Sequence, residues 1–180
     1  MRRLLAALPL LLVPSAAFAA DWLIARARNG RAPDPMRMLV VVDAPIDAVW
    51  AAVADVPFQV EWMAEMTELR LDPPGRAHVG QRGEATVRIM GISVTDPVEV
   101  SELEPPRRYA IRHLGLFTGG GVITLEPGAD GTTTILRWDE TLVPPILPQL
   151  GALVQAPILR AIFQADLERL KGLVEDGAVD

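Results

Sequence analysis

Between Thr67 and Leu142 the chain passes through six β-type segments in unbroken succession, with no helical stretch between them. They cover 68–71, 81–90, 93–103, 108–114, 121–126 and 132–142. Their separators are turn formers: Pro73-Pro74-Gly75, Gly91, Glu104-Pro105-Pro106, the glycines at 119 to 121, and Pro127 to Gly131. Strands joined by connections this short run antiparallel, because a parallel pair needs a crossover of about a dozen residues or more. The middle of the chain is therefore a meander.

What flanks the meander limits how it can be covered. Residues 38–42 are apolar and β-branched and read as a further strand, ending at Asp43-Ala44-Pro45. Ile46, Val49, Trp50 and Val53 then recur at helical spacing, and a second short helix runs from Pro57 through Trp62 and Met66. Pro144, Pro145 and Pro148 stop the last strand. From Leu150 the apolar positions 150, 153, 154, 158, 162, 163, 167, 170, 173 and 174 form a helical stripe, with a kink expected from Pro157 and a stop at Gly177. The expected fold class is α+β: a seven-stranded curved antiparallel sheet wrapped around a long C-terminal helix, with two short helices after the first strand. That helix is the dominant partner available to the concave face.

The N-terminus is separate from this domain. Arg2 and Arg3 precede an apolar run from Leu4 to Val13, and Ala17-Phe18-Ala19 then stands before Ala20-Asp21. This is the pattern of a secretory signal with an A-x-A cleavage site, so 1–20 reads as a signal peptide and the mature protein as exported, periplasmic or extracellular. Two alternatives stand beside it: an uncleaved membrane anchor, weakened by Pro9 and Pro14, or a cytoplasmic protein starting at Met36 or Met38. Residues 21–36 are turn-rich and basic and read as a linker, 37–176 as the domain, and 177–180 as a tail. A net charge of −6 disfavours a nucleic-acid partner, since an acidic protein gains nothing from counterion release.

The element order, with Val42-Asp43-Ala44-Pro45 followed by Val49-Trp50, resembles the SRPBCC superfamily of helix-grip proteins. That superfamily holds START lipid-transfer domains, birch-pollen-type allergens and polyketide cyclase/dehydrase-like proteins. Trp62, the stretch from Val100 to Tyr109 and the stretch from Leu167 to Glu175 are similar to its cyclase-like bacterial branch. The resemblance spans roughly 38 to 176. It implies a deep apolar cavity and, in various members, lipid, sterol or polyketide ligands, or a true cyclase activity.

Strand parity indicates which side chains would line such a cavity. Tyr109, Ile111 and His113 share one face of their strand, opposite Arg108, Ala110 and Arg112. By the same alternation Gly83, Ala85, Val87 and Ile89 point inward, as do Val94, Asp96, Val98 and Val100. Thr134, Leu136 and Trp138 follow, and Glu140 by parity, although its place at a strand end favours solvent. The expected ligand contacts are Val87, Ile89, Val98, Tyr109, Ile111, His113, Ile123, Thr134, Leu136, Trp138 and Leu153. Met63, Met66 and Met90 could border a mouth, whereas Trp50 and Trp62 belong to the core.

Two residues are candidates for chemistry. His113 on an apolar face could orient a ligand carbonyl or move a proton, or could equally bond a backbone group. Asp96 precedes Pro97, which cannot donate in a ladder, so a bulge or a strand edge is expected there and a bulge would re-aim the side chain. Glycines 119–121 lack phosphate-loop spacing and read as a sheet bend or a gate. With two histidines in no zinc spacing and no cysteine, no metal or other cofactor is expected. The leading functional expectation is binding or transport of a hydrophobic small molecule, lipid-like or polyketide-like, with membrane contact for ligand exchange or through an uncleaved N-terminal helix. The alternatives are a cyclase or dehydratase using His113 as acid/base, and a protein-interaction module without ligand.

Overall fold

The computed structural model describes residues 8–89 and 91–178, with side chains described from Ser15 onward. Seven strands form one antiparallel sheet. They are β1 (Met36–Val42), β2 (Met66–Asp72), β3 (Arg82–Ile89), β4 (Ile92–Glu104), β5 (Arg108–His113), β6 (Thr118–Pro127) and β7 (Thr134–Val143). Their order across the sheet is β1-β7-β6-β5-β4-β3-β2. The meander is confirmed, and β1 closes it by pairing with β7, Met36 opposite Glu140 and Val42 opposite Thr134. Helices α1 (Leu8–Ala27), α2 (Ile46–Ala54), α3 (Gln59–Trp62) and α4 (Pro148–Glu175) complete the described chain.

Several boundaries differ from expectation. The stretch read as a linker over 21–36 is helical as far as Ala27, because its turn formers begin only at Asn29 and Gly30, both at positive φ. The second short helix stops at Trp62, and the backbone turns through Met63 so that Met66 opens β2 instead. The bulge expected at Pro97 is absent: β3 and β4 pair continuously from Arg82↔Glu99 to Ile89↔Ile92. Pro97 is tolerated because its carbonyl, and hence its missing N–H, points to the β5 side, where the ladder ends at Val98↔His113. The irregularity lies instead between Val100 and Glu102.

The C-terminal helix does not lie symmetrically in the sheet. It packs chiefly on β1, with smaller contacts to β7, α1, α2 and α3. Its second half keeps the expected stripe: Phe163, Leu167, Leu170 and Val174 are buried. In its first half Leu153, Val154 and Ile158 are exposed and Ala152 and Leu159 are buried, so the single stripe expected from Leu150 onward does not hold. The N-terminus of α4 is capped from a distance. The Asp21 carboxylate on α1 accepts from the backbone N–H groups of Gln149 and Leu150, each at 2.8 Å. An acidic group there satisfies two otherwise orphaned donors and sits at the positive end of the helix dipole.

The core is solid where α4 meets β1 and β7. Val42, Val49, Val53, Leu125, Leu136, Leu167 and Leu170 are wholly or almost wholly buried there. The helices make their main contacts with β1, β2, β6 and β7 rather than with β3, β4 and β5. The space left above them is the candidate site.

Candidate functional site

A chamber of about 410 Å³ lies between the strands from β2 to β7 and the first half of α4. Val87, Ile89, Val98, Tyr109, Ile111, His113, Ile123 and Trp138 line it, as parity predicts. Three expected contacts do not. Leu136 and Thr134 belong to the solid end, wholly buried, and the Thr134 hydroxyl donates to the Ala44 carbonyl at 2.8 Å. Leu153 faces outward on α4 and borders a smaller cleft of about 220 Å³ beside α1. All three miss for one reason: α4 leans over β1, which fills the interior at the start of β7 and turns the first half of the helix stripe away. Met63 and Met66 line the chamber, while Met90 lies outside the described residues.

The polar groups of the chamber gather at two places. The first is His113, whose Nδ1 lies 2.9 Å from Asp96 Oδ2 and whose Nε2 lies 3.2 Å from Glu140 Oε1. Glu140 is buried, against the expectation of a solvated strand end, and its Oε2 accepts from Trp138 Nε1–H at 3.0 Å. Gly121, paired with Glu140 across the sheet, makes the space: a Cβ there would collide with the Glu140 carboxylate and crowd the indole nitrogen. Burial by itself would push the His113 pKa down. Hydrogen bonds and attraction from Glu140, then Asp96, outweigh it and hold the imidazole above its ordinary value. Both ring nitrogens face carboxylates, so the protonated ring donates to both.

This arrangement brings a base and two acids together at the chamber wall. It also limits what His113 can do, since neither nitrogen is left for a ligand. Asp96 Oδ1 has no partner, but it is buried beneath Gly115, where a Cβ would strike it. Glycines 119–121 lie within β6 and pair with both β5 and β7, so they do not gate the chamber. At Gly119, with φ of +114°, a Cβ would meet the Thr141 carbonyl, so the run permits close approach of the strands.

The second polar place was not foreseen. Glu65, in the turn before β2, lines the chamber, as Gln59 and Tyr109 do, and faces Asp166 of α4. The Asp166 carboxylate accepts from the Ala64 N–H at 3.0 Å and from Arg169 at 3.4 Å. Burial, then the proximity of Asp166, pushes the Glu65 pKa up to about 7. Its side chain is therefore substantially protonated at neutral pH. A carboxyl group whose folded pKa exceeds its unfolded one binds more protons when folded, so its effect on stability worsens as pH rises between about 4.5 and 7. Glu65→Gln is accordingly expected to stabilise the protein near pH 8 by about 1–2 kcal/mol, after a discount for partial solvent screening. Near pH 5 the two proteins should unfold at similar urea concentrations. Equal midpoints at both pH values would place Glu65 in water.

The remaining lining is apolar. Trp138 lies 4.8 Å from Phe163 between ring centroids and meets Trp62 edge-on at 6.1 Å. Trp62 is fully buried and Trp50 packs partly buried against the same core, as expected. Phe117 and Ile158 line the chamber without having been anticipated, one from a loop and the other from the turned part of α4. Among the described residues no group of three His, Asp or Glu side chains is placed to hold a metal ion.

A family model described as polyketide cyclase / dehydrase and lipid transport matches residues 36–175. No curated protein matches the chain. Among solved structures, one from Thermus thermophilus superposes with a TM-score of 0.64 at 20% identity, covering 79% of this chain and 98% of that one. The Zhui aromatase/cyclase from Streptomyces sp. R1128 superposes at 0.63 and 20% identity, over 78% and 93%. DynU16, a protein of the dynemicin biosynthetic locus, gives 0.58 at 26% identity, over 80% of this chain and 48% of that longer one.

Proposed function

The chain belongs to the polyketide cyclase / dehydrase and lipid transport family, and on that premise we propose that it binds and carries a hydrophobic small molecule, lipid-like or polyketide-like, in the chamber over β2 to β5. The observation that carries this reading is an apolar space of about 410 Å³ whose central polar groups bond to one another. That volume is in the range of small-molecule sites, roughly 300–1,000 Å³. Affinity would come from removing apolar ligand surface from water, at about 25 cal/mol per Å². Exchange of such a ligand at a membrane, and export under the N-terminal signal, are parts of the same proposal.

Acid–base catalysis of the cyclase type is the second reading, favoured by the imidazole held between two carboxylates at the chamber wall. It would require one of those contacts to break, so that a ring nitrogen could reach a substrate. Native mass spectrometry of the purified protein tests the carrier. A non-covalent adduct of lipid or polyketide mass is expected. An empty protein that also fails to take up an apolar dye would end this reading. Conversion of a bound ligand on storage, abolished by Glu140→Gln, would favour catalysis instead.

A further inference from the structure

We infer that the end of the sheet at which the chamber opens is a docking surface for a lipid bilayer, with the chamber mouth seated in the hydrocarbon. The proposal rests on the ligand reading above and names the phase from which the ligand comes.

The mouth is located by topology. In this antiparallel sheet the β3–β4 turn, the β5–β6 loop, the β7–α4 loop, the start of β1 and the start of α4 all lie at one end. Ile92, 70% exposed, and Ile158, 53% exposed, both line the chamber, one from the sheet and one from the helix. Leu114, Leu116, Ile146 and Val154 are exposed around them. Large apolar side chains grouped in this way differ from the scattered exposed leucines of an ordinary surface.

Charge separates a bilayer from other occupants. The chain has 23 Asp and Glu residues and a net charge of −6. Yet no Asp or Glu occurs in 86–95, 110–125 or 141–165, three of the segments that build this end, and at the starts of β1 and β2 the exposed Asp34 and Glu68 are paired with Arg28 and Arg70. Apart from the buried His113, the charged side chains of those three segments are Arg88, Arg112 and Arg160. An apolar rim with arginines and few carboxylates suits the lipid interface, where anionic headgroups repel acids. The surface continues onto α1, which packs on α4 and exposes Trp22 and Leu23 after the signal. The Arg26 guanidinium stacks over the Trp22 ring at 5.5 Å, a pair suited to the headgroup level. A protein partner seated here would plug the mouth, whereas hydrocarbon would leave it open to an apolar ligand and closed to water.

The chain has no cysteine, so a single one can carry a label. Full-length protein with Leu116→Cys, or with Val79→Cys, is labelled with a polarity-sensitive fluorophore. Val79 is exposed in the β2–β3 connection, at the opposite end of the sheet. Each is mixed with phosphatidylcholine vesicles bearing brominated acyl chains. The label at 116 is expected to shift to the blue and be quenched, and the label at 79 to do neither. Adding Ile92→Glu and Ile158→Glu should weaken the vesicle partitioning read at 116 by at least tenfold. An unquenched label at 116 on vesicle-bound protein would overturn the proposal, since the N-terminal segment alone would then hold the chain. So would a blue shift without vesicles that grows with protein concentration, which would mean that a second copy covers the rim. Native mass spectrometry on the same samples separates this result from the ligand reading: an adduct without quenching sinks only the docking, and quenching with an empty chamber sinks only the ligand.

Discussion

Replacing His113 by phenylalanine is expected to destabilise the protein by about 3–5 kcal/mol at neutral pH, the cost of removing one partner from a buried ionic cluster. Asp96 and Glu140 are both buried and both bonded to the imidazole, at 2.9 and 3.2 Å. Without the ring they would share an apolar chamber with no cation between them. They would have to take up protons or admit water. The effect should be charge rather than packing, because phenylalanine keeps most of the volume. Adding Asp96→Asn and Glu140→Gln to His113→Phe should therefore recover most of the loss in urea unfolding. A loss below about 1 kcal/mol for the single variant would mean that the cluster is hydrated and its groups independently solvated. The sign with pH follows from the raised His113 pKa. Its stabilisation is complete below the unfolded value of about 6.5 and declines as pH rises through the folded one. Glu65 contributes in the same direction over a lower window, so the wild-type protein should be more stable in mild acid than in mild base.

The second large effect is on ligand retention. Ala85→Trp should cut ligand affinity about seventyfold, if the indole displaces ~100 Å² of ligand contact at ~25 cal/mol per Å². Ala85 lies on the chamber face of β3, and a large side chain there enters open space rather than a filled core. Stability should change by less than the ~1–3 kcal/mol typical of overpacking. Leu136→Ala is the converse control. Leu136 is wholly buried at the solid end, so its truncation should cost ~2–5 kcal/mol while the adduct seen by native mass spectrometry persists. If Ala85→Trp keeps its adduct and Leu136→Ala loses it, the ligand lies elsewhere.

The architecture was legible because each strand of the meander ends in residues that can do little else than turn, Pro73-Pro74-Gly75 and Glu104-Pro105-Pro106 among them. Alternation along 109, 111 and 113 then placed three lining residues correctly, since one face of a strand keeps its side regardless of what covers it. Three kinds of feature were less accessible. Glu140 had the right parity, but its burial depends on the glycine opposite, and that pairing belongs to the register of β6 with β7. Glu65 and Asp166 meet only because α3 and α4 pack together, and no local pattern links a turn residue to a distant helix. Leu136, Thr134 and Leu153 were misassigned because periodicity gives the apolar side of an element without its distance from the next. The lean of α4 sets that distance.

That lean separates two demands that most small proteins must meet with the same side chains. Foldedness is secured where the helix rests on β1, and recognition is left to strands that the helix scarcely touches. Substitutions on β3 to β5 can reshape what is held, within wide bounds, without putting the fold at risk. Relatives in this family should therefore diverge fastest on the hollow side and agree on the filled one.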